Sequence, residues 1–249
     1  MAYVSNPKFS SEARIKIALP IVALDYPDAE SALALVTLLG DSCRFYKVGS
    51  ELFTAAGPDV VTRIRAEGCD VFLDLKLHDI PNTVAGAMRR ISEMGVRLAT
   101  VHASGGRAMI EAAVDEAGSD CGILAVTILT SLDRAALSEI TGDQNADPGD
   151  SVLRLAELAR SAGARGVVCS GEEAPLVRSQ FGGRLEILVP GIRLPGDEAG
   201  DQARIVTPEA AVRAGADYLV LGRSVTAAAD PRGAMETVRA RLFSRTDLT

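Results

Sequence analysis

Residues 71–79 read VFLDLKLHD. Side chains of an extended strand alternate between two faces, so Leu73, Leu75 and Leu77 share one face while Phe72, Asp74 and Lys76 share the other. Three leucines in a row are what a helix-covered sheet face requires. Asp74 and Lys76 then point away from the helices, toward whatever the sheet encloses. Seven more short apolar runs lie along the chain: IALPIVALD from Ile17, RFYKVGS from Arg44, RLATVHAS from Arg97, GILAVTIL from Gly122, ARGVVCS from Ala164, LEILVPGI from Leu185 and DYLVLGRS from Asp217. Most are rich in Val, Ile and Leu, the pattern of parallel strands covered on both faces. Their starts fall 21 to 42 residues apart, enough for a strand, a loop and a helix.

Helical patterns fill the gaps, among them DAESALALVTLLG, PNTVAGAMRRISEMG, DSVLRLAELARSAG and TPEAAVRAGA. Several open on an Asp, Ser or Thr cap and stop at Gly. Eight strands alternating with helices predict an α/β protein with the architecture of a (β/α)8 TIM barrel. The 249 residues then form a single domain, with residues 1–14 as an N-terminal extension. The longest interval, after the fifth strand, holds TSLDRAALSEITGDQNADPGD. It predicts a short helix around Arg134–Ile140, and residues 130–150 are expected to form a loop region on the catalytic face. Such a loop either folds over a ligand or is a plain surface excursion.

Composition narrows the function. An apolar content of 47% with 24% charged residues excludes a disordered chain. The net charge of −7 speaks against a nucleic-acid-coating surface but leaves room for a local anion pocket. No apolar run reaches membrane-spanning length and the N-terminus lacks a secretory pattern, so the expected location is cytoplasmic. Four scattered cysteines and two histidines, His78 and His102, supply little for a soft-metal centre, and no metal site is expected. None of the cysteines has a basic partner that would mark it as a nucleophile.

Charges converge where a barrel interior should be apolar. Lys47 sits inside the second run, Asp25 ends the first, and Asp79 follows Lys76 by three residues at the end of the third. Each unpaired buried ion costs roughly several kcal/mol, so these groups must interlock. A lone Asp–Lys pair would be an ordinary structural salt bridge. Four charges at the ends of three consecutive strands instead mark the rim that carries barrel active sites. Aspartates beside Lys76 favour its ammonium form, which makes it a proton donor and argues against a Schiff-base lysine.

The last two strands end in VPGIR and LVLGRS, with Pro190, Arg193, Gly222 and Arg223. Loops after strands seven and eight commonly bind phosphate in such barrels, and a Gly-Arg pair there supplies close backbone approach and a bidentate donor. Gln202, between them, is within reach of the same anion. Thr130 ends the fifth strand and either presents its hydroxyl to a polar ligand or caps a loop. His102 reads as a hydrogen-bonded rim residue, and His78 as a structural residue on the leucine side.

With these residues in place, the chain resembles the orotidine 5'-monophosphate decarboxylase family. The resemblance runs from ALDYPD to YLVLGRS and is strongest in DLKLHDIPNTV, which fits the family's Asp-x-Lys-x-x-Asp signature. It implies that Lys76 protonates C6 of the pyrimidine after carbon dioxide leaves, with Asp74 next to the substrate carboxylate. It implies that Lys47 and Asp25 orient the network and bind the ribose. Thr130 would contact the pyrimidine, and Arg193, Gln202, Gly222 and Arg223 would hold the 5'-phosphate beside Pro190. Asp79, Ile80 and Thr83 would complete the site of the neighbouring subunit in a homodimer. No cofactor is implied, and the only partners are the small-molecule nucleotide and a second copy of the chain.

Two other readings compete. Mg²⁺-dependent sugar-phosphate enzymes of the same superfamily share Asp-x-Lys-x-x-Asp but resemble one another in carrying a metal-binding Glu where this chain has Lys47. A non-catalytic phosphate- or nucleotide-binding barrel would need the arginines but not the buried acid–base pair.

Overall fold

The computed structural model describes residues 18–194 and 206–243. Eight parallel strands close into a barrel in sequence order: β1 Leu19–Ala23, β2 Phe45–Gly49, β3 Asp70–Leu77, β4 Leu98–His102, β5 Gly122–Val126, β6 Gly166–Val168, β7 Glu186–Ile192 and β8 Tyr218–Leu221. Pairing of Leu19 with Tyr218 and of Val22 with Leu221 closes the ring. Each strand falls within one of the eight apolar runs, except that β3 begins one residue earlier, at Asp70. The expected N-terminal extension, residues 1–14, lies outside the described residues.

Strand alternation sorts the core into two layers. Ile21, Phe45, Phe72, Leu98, Leu124 and Leu188 fill the barrel interior. Val22, Val48, Leu73, Ala99 and Val101 face outward into a larger layer shared with the helices, against which Leu75 and Leu77 also pack. The leucine face of VFLDLKLHD is therefore the outer one, as the alternation predicts. The helix Pro81–Glu93 covers it with Val84, Met88 and Ile91, spaced as one helical stripe, and starts with proline at its first turn. Asp28 and Asp147 cap the helices Ala29–Leu39 and Pro148–Ser161 by accepting from Ser31 N and Asp150 N. In the long interval after β5 a helix spans Arg134–Thr141. Among the described residues, no helix is long and apolar enough to cross a membrane.

The amino-terminal mouth of the barrel is stoppered. Arg97 binds Asp70 at 2.6 Å and lies over the Phe45 ring, whose edge meets Tyr218. Tyr218 in turn donates to Glu186 at 2.8 Å. These residues stand at the first positions of β2, β3, β7 and β8 or just before β4, so the ligand cavity lies at the carboxyl-terminal mouth.

One strand departs from regular pairing. Leu73 pairs with Ala99, but the next pair is Leu77 with Val101, so β3 advances four residues while β4 advances two. Lys76 sits in this bulge at φ 51°, the one positive φ outside glycine among the described residues. A non-glycine residue in that region costs roughly 1–3 kcal/mol and persists only where its surroundings hold it.

Candidate active site

The bulge aims Asp74 and Lys76 into a cavity of about 450 Å³ at the carboxyl-terminal mouth, within the size range of small-molecule sites. Lys76 Nζ lies 2.8 Å from Asp74 Oδ2, and Lys47 Nζ approaches the same oxygen at 3.9 Å. Lys47 also binds Asp25 Oδ1 at 2.8 Å. The four side chains thus form an alternating row, Asp25–Lys47–Asp74–Lys76, across the ends of β1, β2 and β3. The middle of the row is largely buried: the side chains of Lys47 and Asp74 are each 12% exposed, against 58% for Asp25. Alternating sign is what permits that burial, since each inner ion has an opposite charge on both sides.

Two residues outside the expected set shape the row. Thr100 on β4, 1% exposed, donates its hydroxyl to Asp74 Oδ1 at 3.0 Å. It also accepts from the backbone N–H of Lys76 at 2.9 Å. Gly49, at the end of β2, leaves room for the lysine: a Cβ there would stand 2.9 Å from Lys47 Nζ and 3.3 Å from Asp25 Oδ1. A polar residue at an inward position of β4 was a readable signal for Thr100, the same one that marks Asp74. Gly49 carried none, because its meaning depends on a contact with the side chain two residues earlier.

The adjoining wall, next to β1, comes from β7 and β8. Pro190, Gly191, Arg193, Gly222, Arg223 and Thr226 all line the cavity. Arg193 is buried and donates to the Ile192 carbonyl at 3.2 Å, while Ser224 ties the turn after β8 to the same carbonyl. Two arginines therefore face the same space as the lysine–aspartate row. Between them lies an apolar floor of Phe72, Val126, Val168, Leu188 and Val220, and the turn after β5 brings Ile128, Leu129 and Thr130 to the edge. Within residues 130–150, only Thr130 lines this cavity.

Three expected residues stand elsewhere. Asp79, Ile80 and Thr83 are exposed on the loop after β3 and the first turn of its helix, and none lines the cavity of its own chain. Asp79 Oδ1 accepts from the Ile80 N–H at 2.7 Å, and Ile80 is 66% exposed. Gln202 lies outside the described residues. His102 ends β4 with its ring 5.4 Å from that of His78. Burial, then the His78 and Lys76 charges, hold the His102 imidazole below its ordinary pKa. His78, expected on the leucine side, is exposed with its ring beside that of His102, because it shares the parity of Asp74 and Lys76 and not that of Leu73, Leu75 and Leu77.

Interlocked lysines and aspartates in a cavity at the carboxyl-terminal mouth of a closed barrel, beside two arginines, define an enzyme of the (β/α)8 class with a small-molecule site. A family model described as "Orotidine 5'-phosphate decarboxylase / HUMPS family" matches residues 19–238. The chain belongs to that family. It is 51% identical over 225 residues to the orotidine 5'-phosphate decarboxylase of Halorhodospira halophila, covering 89% of this chain and 94% of the relative. A relative of the same name from Nitrosococcus oceani is 47% identical over 226 residues, covering 89% and 96%. Among solved structures, the orotidine 5'-phosphate decarboxylase of Lactobacillus acidophilus superposes with a TM-score of 0.79 at 37% identity, covering 91% of this chain and 99% of that one.

Proposed function

We propose that the chain converts orotidine 5'-monophosphate to uridine 5'-monophosphate and carbon dioxide, the last step of UMP biosynthesis, without metal or organic cofactor. The position of Lys47 carries this reading. Its ammonium lies 2.8 Å from Asp25 and 3.9 Å from Asp74, so the place between those carboxylates already holds a positive charge. A divalent cation there would meet like-charge repulsion, which disfavours the Mg²⁺-dependent sugar-phosphate reading. Four charges held around a cavity also exceed what a non-catalytic binder requires.

The chemistry follows from the row. The bond from C6 to the carboxyl carbon breaks, carbon dioxide leaves, and the electron pair remains on C6 in the plane of the ring. The π system cannot delocalise it. The Lys76 ammonium delivers its proton to C6 and is recharged from water after product leaves. General acid catalysis contributes typically about 10²–10⁴-fold, roughly 3–5 kcal/mol. The remainder rests on a fixed positive charge stabilising the developing carbanion inside a site that excludes water. Asp74 holds that charge in place and stands beside the departing carboxylate. Lys47 and Asp25 orient the row and bind the ribose hydroxyls, and Thr130 contacts the pyrimidine.

Arg193 and Arg223, with Gly222, Pro190 and Gln202, take the 5'-phosphate at the wall of β7 and β8, so binding energy away from C6 assembles the reacting end. Asp79, Ile80 and Thr83, exposed and turned away from their own cavity, complete the site of a second copy in a homodimer. Four buried unpaired cysteines fit a reducing, cytoplasmic location.

The test follows the ultraviolet absorbance of orotidine 5'-monophosphate in the presence and absence of EDTA. EDTA-insensitive loss of the carboxylate is the expected result, and Lys76→Ala abolishes it while uridine 5'-monophosphate still binds. No turnover by the folded protein, or turnover abolished by EDTA, overturns the reading.

A further inference from the structure

We infer that Thr100 is a positioning residue for Lys76, closing a ring of hydrogen bonds that fixes the ammonium relative to Asp74. The inference rests on the decarboxylase reading and adds a residue to it. A threonine hydroxyl has one proton to give and lone pairs to receive, and here it uses both functions. It receives the Lys76 backbone N–H at 2.9 Å and gives its own proton to Asp74 Oδ1 at 3.0 Å. The other oxygen of the same carboxylate, Oδ2, accepts from Lys76 Nζ at 2.8 Å. The ring therefore starts at the backbone of Lys76 and ends at the tip of its side chain.

The bulge explains why such a device is needed. Pairing jumps from Leu73–Ala99 to Leu77–Val101, which leaves Thr100 without a ladder partner opposite Asp74, Leu75 and Lys76. At φ 51° the Lys76 N–H is turned out of the β3–β4 ladder. A buried N–H without an acceptor would add its own desolvation cost to that of the backbone strain. The Thr100 hydroxyl removes the first cost and holds the strained conformation against relaxation. It also occupies the carboxylate oxygen that Lys76 does not use, so Asp74 cannot rotate away from the ammonium without losing a hydrogen bond. Leu98, Thr100 and His102 share the inward face of β4, and the residue 1% exposed between barrel core and rim is the polar one. A valine has the same shape and would fill that place if packing were its only task.

The experiment compares Thr100→Val, Thr100→Ala and Thr100→Ser with the wild type by kcat, KM, Kd for uridine 5'-monophosphate and Tm. Misplacement of a reacting group by about 1 Å costs about 10²-fold in rate. Thr100→Val and Thr100→Ala are expected to lose about 10²-fold in kcat, with KM and the product Kd within about threefold of the wild type. Thr100→Ser, which retains the hydroxyl, is expected to keep kcat within about fivefold despite the lost methyl. A packing role alone would favour valine over serine in both Tm and kcat. Near-wild-type kcat in Thr100→Val, or serine as impaired as alanine, overturns the inference while leaving the decarboxylase reading intact. If valine prevents folding, the alanine–serine comparison decides. Absence of turnover by the wild type overturns both readings together.

Discussion

Lys47 Nζ lies 2.8 Å from Asp25 Oδ1, and that contact occupies the space where a side chain at residue 49 would begin. A Cβ on Gly49 would come within 2.9 Å of the ammonium. Its backbone, at φ −94°, is open to any residue, so alanine meets no conformational strain there. Gly49→Ala is expected to displace Lys47 from Asp25 and to lower kcat/KM by about tenfold, roughly 1.4 kcal/mol of transition-state stabilisation. Tm should fall only slightly, since Gly-to-Ala at a helix N-cap costs about 1 kcal/mol or less. Steady-state kinetics beside thermal melting read the two effects separately. Unchanged kcat/KM would show that the Lys47–Asp25 contact is dispensable.

Arg223 acts at the other wall. It lines the cavity immediately after Gly222 at the end of β8. Loss of a bidentate charge-assisted grip, at about 1.5–3 kcal/mol for each of its two hydrogen bonds, predicts a fall of about 10²–10⁴-fold in kcat/KM for Arg223→Ala. The phosphate-free nucleoside should respond far less to the same substitution. Equal loss for both substrates would remove Arg223 from the phosphate site.

Asp79 tests the assembly. Lys76→Ala and Asp79→Asn are each expected to be inactive as pure homodimers. Their mixture, after subunit exchange, should regain about a quarter of wild-type activity, because half of the dimers carry one intact composite site. Native mass spectrometry confirms that mixed dimers have formed. Mixed dimers without activity would place Asp79 outside the shared site.

His102 predicts a pH effect on stability. Burial, His78 and Lys76 lower its pKa in the folded protein, whereas the unfolded chain titrates near the ordinary value of about 6.5. As pH falls through that value the unfolded state takes up the proton first, so folding stability decreases toward acid. Urea unfolding at pH 7.5 and at pH 5.5 should show a smaller acid loss for His102→Asn than for the wild type. An identical loss in both proteins would rule out His102 as a contributor.

Much of the site was legible because a charge at an inward strand position is costly wherever it occurs. Asp74, Lys76 and Lys47 declare themselves by that rule, and Arg193 and Arg223 follow from their places on the last two strands. Thr100 obeys the same parity rule, yet a threonine is at home in any strand and attracts no notice. Asp79 stands in sequence beside the others but in space turns outward, since the strand ends at Leu77 and the chain leaves the barrel. Gln202 was singled out by its position between the phosphate loops and lies outside the described residues.

The sequence by itself determined the barrel, because strand period, helix caps and unit length are local properties that repeat eight times. It also determined that Lys47, Asp74 and Lys76 face the barrel interior, since alternation assigns a face to every residue of a strand. The tertiary structure decided how those charges meet. The two-residue slip between β3 and β4, the left-handed Lys76 and the Thr100 hydroxyl that receives it all depend on the neighbouring strand. No local pattern encodes them, because their energies arise between residues that are distant along the chain and adjacent only after the barrel closes.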